Sequence, residues 1–219
     1  AEVAQQLEKA GGGSFAARIA HHHCELALEA DARGDSPAAL AALQHAREAS
    51  GGSARPWVQT GQRLAAAGRH EEALAAWNEL RQRHPAAFAL VAIDYAASAQ
   101  AASRSGEALA VLVAQHAELP SSDLLRAIDA LEGEPDRARA RRLDQLARQP
   151  RLAAAAAVLR DRAAAGDVDR ALSTVVERAA APLARYRCAA CGFEAQRWFW
   201  QCPGCQGWDT FPPQRLQDQ

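Results

Sequence analysis

Apolar residues along the chain follow a helical rather than an alternating rhythm, and they do so in blocks that repeat. From Gly34 the string GDSPAALAAL realigns on GRHEEALAAW from Gly68, a shift of 34 residues. The same frame returns as SRSGEALAVL from Ser103, GEPDRARARRL from Gly133 and GDVDRALSTVV from Gly166. Each copy sets a small turn residue five positions ahead of an alanine: Gly34 with Ala39, Gly68 with Ala73, Ser103 with Ala108, Gly133 with Ala138, Gly166 with Ala171. The turn residue lets the chain reverse between two antiparallel helices, and the alanine is small because the first helix of the pair crosses close against it. Pro85, Pro120 and Pro150 then stop the second helix of three copies. The pattern predicts helix pairs near 18–49, 54–84, 88–118, 121–148 and 152–181, with residues 1–10 completing a truncated preceding pair.

A 34-residue period is that of tetratricopeptide repeats. The second copy fits best, with Trp57, Gly61, Leu64, Gly68, Ala73, Trp77, Leu80 and Pro85 at the spacings that interlock large and small side chains. The fourth is degenerate: it begins 30 residues after the third and carries Arg142 where an apolar residue belongs, so its register is not fixed by pattern. The expected fold is all-α, a tetratricopeptide-repeat α-solenoid superhelix over residues 1–182. The first helices of its pairs line a concave surface suited to a peptide or another protein. Composition agrees: 49% hydrophobic, rich in alanine and only 5% aromatic, which favours helices packed through small side chains. A net charge of −1 supplies no global field toward nucleic acid or anionic lipid.

Residues 183–219 change character and predict a small metal module. Cys188-x2-Cys191, ten intervening residues and Cys202-x2-Cys205 form two knuckles whose four thiolates can surround one ion, zinc favoured, with iron as the other metal that this set accepts. Gly192 and Pro203-Gly204 are expected to allow positive φ, turning amides toward sulfur. Phe193, Trp198, Phe199, Trp200, Trp208 and Phe211 are half of the chain's twelve aromatics. A module of about 35 residues needs metal and aromatics together to hold it. Three roles compete for the knuckles. Electron transfer needs iron and an exposed sulfur edge; nucleic-acid binding needs more of a basic stripe than Arg185, Arg187 and Arg197 provide; structural docking suits the aromatics.

Elsewhere the chemistry is sparse. Consecutive His21, His22 and His23 point about 100° apart on a helix and cannot converge on one ion. Cys24 reads as a small buried hydrophobe, and the run Asp136–Arg142 as a solvated helix face or a patch for an acidic partner. No GxGxxG, P-loop, GxSxG or HExxH occurs, so no enzyme chemistry is expected. No stretch approaches the roughly 18 apolar residues of a membrane span. Ala1 opens directly into a helical pattern without Met, which is expected of a soluble fragment whose N-terminal part, with any membrane anchor, lies outside this sequence.

Two strings, HHHCELALEADARGD at 21–35 and YRCAACGFEAQRWFWQCPGCQGWDTFPP at 186–213, sit within this architecture. In both, the chain resembles the lipopolysaccharide assembly protein B family of Gram-negative bacteria, tetratricopeptide proteins ending in a rubredoxin-type domain. The resemblance implies that Cys188, Cys191, Cys202 and Cys205 are the metal ligands. It implies a non-enzymatic scaffold on the cytoplasmic side of the inner membrane, tethered by an N-terminal helix not present here. Such a scaffold would regulate lipopolysaccharide biosynthesis by presenting the lipid A pathway deacetylase to the membrane protease FtsH, with other lipopolysaccharide assembly proteins as partners, no nucleic acid, and homo-oligomerisation left open. An iron electron-transfer protein or a nucleic-acid-binding zinc-ribbon adaptor are the alternatives. One departure is Gln206 after the last cysteine, where rubredoxins carry glycine, with Gly207 one place later; it is expected to alter the surroundings of Cys205.

Overall fold

The computed structural model describes residues 15–162 and 166–218; the expected helix at 1–10 lies outside the described residues. Ten α-helices are described: α1 (Ala16–Ala32), α2 (Ser36–Ala49), α3 (Arg55–Ala66), α4 (His70–Arg83), α5 (Ala92–Ala101), α6 (Ser105–Glu118), α7 (Ser122–Leu131), α8 (Pro135–Arg148), α9 (Leu152–Arg162) and α10 (Asp167–Ala180). A 3₁₀ segment, Pro85–Val91, leads into α5, and Pro85, Pro120 and Pro150 each follow the end of a helix as expected. The residues form two compact units, Ala1–Ser105 and Gly106–Gln219.

In the first unit, α1 packs on α2 and α3 on α4, as antiparallel hairpins. Their turns are copies of one another. Gly34, Gly68 and Ser103 adopt φ of 76°, 74° and 57°, and the next amide returns to a carbonyl five residues back: Asp35 to Ala30, Arg69 to Leu64, Arg104 to Ala99. This left-handed cap satisfies the last carbonyls of the helix before it. Ala39 and Ala73 are fully buried five residues beyond the turn. In the best-matching copy Trp77 is also fully buried, and its indole Nε1 donates to the Val58 carbonyl at 3.3 Å. A Cβ on Gly61 would lie 2.2 Å from that Nε1, so the large residue fits only because its neighbour has no side chain.

In the second unit α9 packs on both α8 and α10. Here the repeat pattern loosens. Gly133 and Gly166 are not left-handed, Gly166 being extended at φ 170°, and Ala171 is exposed although Ala138 is buried. The turn and crossing rule read from the sequence therefore holds for the first three copies; the left-handed turn is lost in the last two, and the buried alanine in the last one. The irregular Arg142 has its own explanation. Its guanidinium bonds Asp129 at 2.7 Å and Asp161 at 2.9 Å, and a three-way ionic contact between α7, α8 and α9 replaces the expected apolar one. The arginine run at 136–142 divides: Arg137 and Arg139 are exposed, Arg137 pairing at the surface with Glu134 at 3.0 Å, whereas Arg141 and Arg142 are half-buried on the protein's own acids, Arg141 on Glu132 at 2.8 Å.

Candidate metal centre

After α10 and a 3₁₀ turn at Ala181–Ala184, strands β1 (Tyr186–Arg187) and β2 (Glu194–Ala195) pair antiparallel, Tyr186 opposite Ala195. The first knuckle is the tip of this hairpin. Cys188 N donates to Phe193 O at 2.9 Å and Gly192 N to Cys188 O at 2.9 Å. The second repeats it atom for atom, with Cys202 N to Gly207 O at 2.9 Å and Gln206 N to Cys202 O at 2.8 Å. Gly192 at φ 77° and Gln206 at φ 62° occupy the same left-handed place. The departure at Gln206 thus does not alter the second knuckle, because a hydrogen-bonded turn holds a non-glycine residue in the glycine conformation. Gly204 is not left-handed. Its contribution is space, since an added Cβ would come within 3.2 Å of Phe193 Cβ and 3.4 Å of Cys191 Sγ, and its amide donates to Cys202 Sγ at 3.3 Å.

The two knuckles bring the four sulfurs within 4.8 Å of one another, with Cys188 to Cys205 at 3.8 Å and Cys191 to Cys202 at 3.6 Å. An ion with metal–sulfur bonds of about 2.3 Å needs tetrahedral sulfurs about 3.8 Å apart, so this donor set fits one ion. Cys188 and Cys202 are buried while Cys191 and Cys205 face outward. Burial pushes the Cys188 thiol up, but hydrogen bonds from the Thr210 hydroxyl and the Cys191 and Ala190 amides outweigh it and bring it down to about 6. Cys191 is favoured as thiolate by the Phe193 amide, yet burial and the three neighbouring sulfurs push it up to about 12. Four thiols this close cannot all ionise without a cation among them.

Beneath the sulfurs, Tyr186, Cys188, Cys202 and Phe211 form a buried cluster against which Ala195, Trp198 and Phe199 pack. Trp198 stands edge-on to Trp200 at 4.1 Å and donates its indole N–H to Phe211 O at 3.0 Å. Phe211, Trp198 and Phe199, half of the aromatics expected to offer a docking face, thus belong to the module's own core, while Phe193 is exposed. Arg185 and Arg187 both reach Glu194, at 3.7 and 2.6 Å, and Arg197 lies over Phe199 at 4.8 Å, so these three arginines do not form a phosphate track.

What fastens the module to the helices is polar, and the sequence pattern did not reveal it. Asp123, in the first turn of α7, accepts Arg215 Nε at 2.9 Å, Arg215 Nη2 at 3.1 Å and the Tyr186 hydroxyl at 3.0 Å. Arg215 also lies over the Tyr186 ring at 4.6 Å and donates to Ala184 O at 2.6 Å. Ser122 donates to Asp218 at 2.9 Å and accepts from Gln217 at 2.8 Å, while Arg151, just before α9, donates to Gln217 O at 2.6 Å. The attachment is therefore centred on the fourth helix pair rather than the last. Tyr186 was visible as the residue before the first knuckle; Asp123 and Arg215 carried no signal.

The histidines diverge as expected, His21 buried, His22 exposed and His23 half-buried beside His45 at 5.7 Å between rings. Cys24 is fully buried among Ala20, Ala27, Leu43 and Ala46. Among the described residues the four-cysteine cluster is the one group arranged to hold a metal.

Residues 186–213 match the rubredoxin metal binding domain family Zn_ribbon_LapB. Over 99% of its length the chain is 27% identical to proteins named lipopolysaccharide assembly protein B from Escherichia coli K12, O6:H1 and O157:H7. The chain resembles lipopolysaccharide assembly protein B in helices and metal module alike. It spans 58% of the length of those relatives. Two solved structures of MamA, the 41-end form from Desulfovibrio magneticus RS-1 and an RS-1 ArsTM double mutant, are similar at TM-score 0.46 and 15% identity, over 74% of this chain and 96% of theirs. Among the described residues no helix is long and apolar enough to cross a membrane.

Proposed function

We propose that this chain is the recognition part of a non-catalytic adaptor in lipopolysaccharide assembly, with a structural metal ion as its staple. The observation that carries this reading is the similarity to lipopolysaccharide assembly protein B, which covers 99% of the chain, repeat helices and four cysteines included. On this reading residues 1–182 form the repeat domain and 183–219 the rubredoxin-type domain. Cys188, Cys191, Cys202 and Cys205 hold one ion, zinc by preference. With four thiolates zinc has no open position and no redox role, so it cross-links the two knuckles. That cross-link fixes Tyr186 and the segment through Arg215, and with them the attachment to α7.

The full-length protein would sit at the cytoplasmic face of the inner membrane, holding the lipid A pathway deacetylase and the protease FtsH on one scaffold. Holding both converts a bimolecular encounter into an intramolecular one, with effective concentrations reaching about millimolar for short flexible connections. The test is affinity purification of the membrane-anchored full-length protein with metal analysis. Zinc at one per chain and recovery of both FtsH and the deacetylase support the reading; recovery of neither sinks it.

Iron-based electron transfer has one observation in its favour, the exposure of Cys191 and Cys205 at the outer edge of two equivalent knuckles. A red protein with reversible reduction would decide for it.

A further inference from the structure

Among the described residues, helix α10 is packed on one side only. Ser173 and Ala180 are buried and Asp169, Val176 and Glu177 half-buried on the side where Arg162 and Arg160 of α9 reach Asp169 and Glu177. The opposite side carries Val168, 74% exposed, Leu172, 49%, and Val175, 63%, with exposed Ala171 and Ala179 between and beyond them. These five residues fall within an arc of about 100° and make a continuous apolar stripe. Isolated exposed apolar residues need no explanation, but an aligned row of them marks an interaction surface.

The charges beside the stripe choose the partner. Asp167 and Arg178 lie along the same edge of it, one at each end of the helix, eleven residues and about 16 Å apart. A second α10 running antiparallel would set Arg178 of each copy beside Asp167 of the other, with Leu172 meeting Val175 and Val168 meeting Ala179. In a parallel two-fold pair the two copies' Asp167 would lie on opposite edges of the stripe, and Arg178 of each would be a helix length away from Asp167 of the other. Antiparallel pairing also sets the two helix dipoles head to tail.

We propose that α10 pairs with α10 of a second copy of this chain, antiparallel about a two-fold axis between Leu172 and Val175, to form a homodimer. The contact is isologous, each copy offering the same stripe. One pair of 14-residue helices buries less than the roughly 1,200 Å² of a standard interface, so the dimer is weak, with a Kd on the order of micromolar.

Sedimentation of the metal-loaded chain from about 1 to about 200 µM tests this. The expected mass rises toward twice the monomer, and Leu172→Glu with Val175→Glu, both at exposed positions, abolishes the rise while the helical circular dichroism is kept. Asp167→Arg and Arg178→Asp should each weaken association at least several-fold, and the two together restore it, an outcome that rules out mere loss of folding as the cause. A wild-type chain that stays monomeric, stripe variants that still dimerise, or a double exchange without rescue would each overturn the pairing. So would a monomer that instead binds phosphatidylglycerol vesicles through the stripe.

Discussion

Arg215 closes on Asp123 across 92 residues of sequence, through Nε to Oδ2 at 2.9 Å and Nη2 to Oδ1 at 3.1 Å. Both side chains are largely buried, 17% and 12% exposed. Removing one partner leaves the other's charge in a poor solvent, so Arg215→Ala and Asp123→Ala should each destabilise the second unit by about 2–4 kcal/mol. The double variant should lose clearly less than the sum. Urea denaturation followed by tryptophan fluorescence gives the cycle; additive losses would mean that the pair does not hold the module.

Tyr186 makes the same attachment sensitive to alkali. Burial first, and then the Asp123 charge, raise its hydroxyl above the ordinary value of 10.0. A raised folded value means that the phenol stays neutral in the folded protein while the unfolded chain ionises. Stability from this group is therefore complete below about pH 10 and is lost as the pH climbs further. Tyr186→Phe should flatten that alkaline loss in denaturation curves, and it should remove the late-titrating phenolate from the absorbance titration.

At Gln206 a side chain sits in a left-handed turn that Gly192 occupies without strain in the other knuckle. Gln206→Gly should stabilise the module by about 0.5–1 kcal/mol, and Gly192→Ala should destabilise it by about 1–2 kcal/mol. Resistance of the bound metal to a competing chelator is the readout, and it should move in opposite directions for the two variants.

Arg142→Ala leaves Asp129 and Asp161 facing each other at the α7–α8–α9 junction. The expected cost is about 2–3 kcal/mol at pH 7. Burial already holds the Asp129 carboxyl above its ordinary value, against the pull of Arg142, and without the guanidinium it should rise further. A group with a raised folded value binds its proton more tightly when folded, so stability returns as the pH falls through that value. The variant should recover part of its loss as the pH falls toward the ordinary carboxylate range, whereas a pH-independent deficit would point to packing alone.

How much of this could be read from the sequence follows from what repeats. Gly34, Gly68 and Ser103 recur with their alanines because the same turn is built three times, and the second knuckle copies the first. Gly133, Gly166 and Ala171 look alike in sequence, but the left-handed turns stop there and Ala171 is uncovered. Arg142 looked like a defect in the apolar pattern because its compensating acids, Asp129 and Asp161, lie on two other helices. Asp123 and Arg215 gave no sign at all, since one ion pair between distant segments has no period and no motif.

The most direct test is the lifetime of the lipid A pathway deacetylase in cells whose full-length protein carries Cys188→Ser and Cys191→Ser. Loss of the metal should release the module from α7 and disable the scaffold, so the deacetylase should persist several-fold longer and accumulate. Degradation at the wild-type rate, with the variant present at normal abundance, would contradict the account.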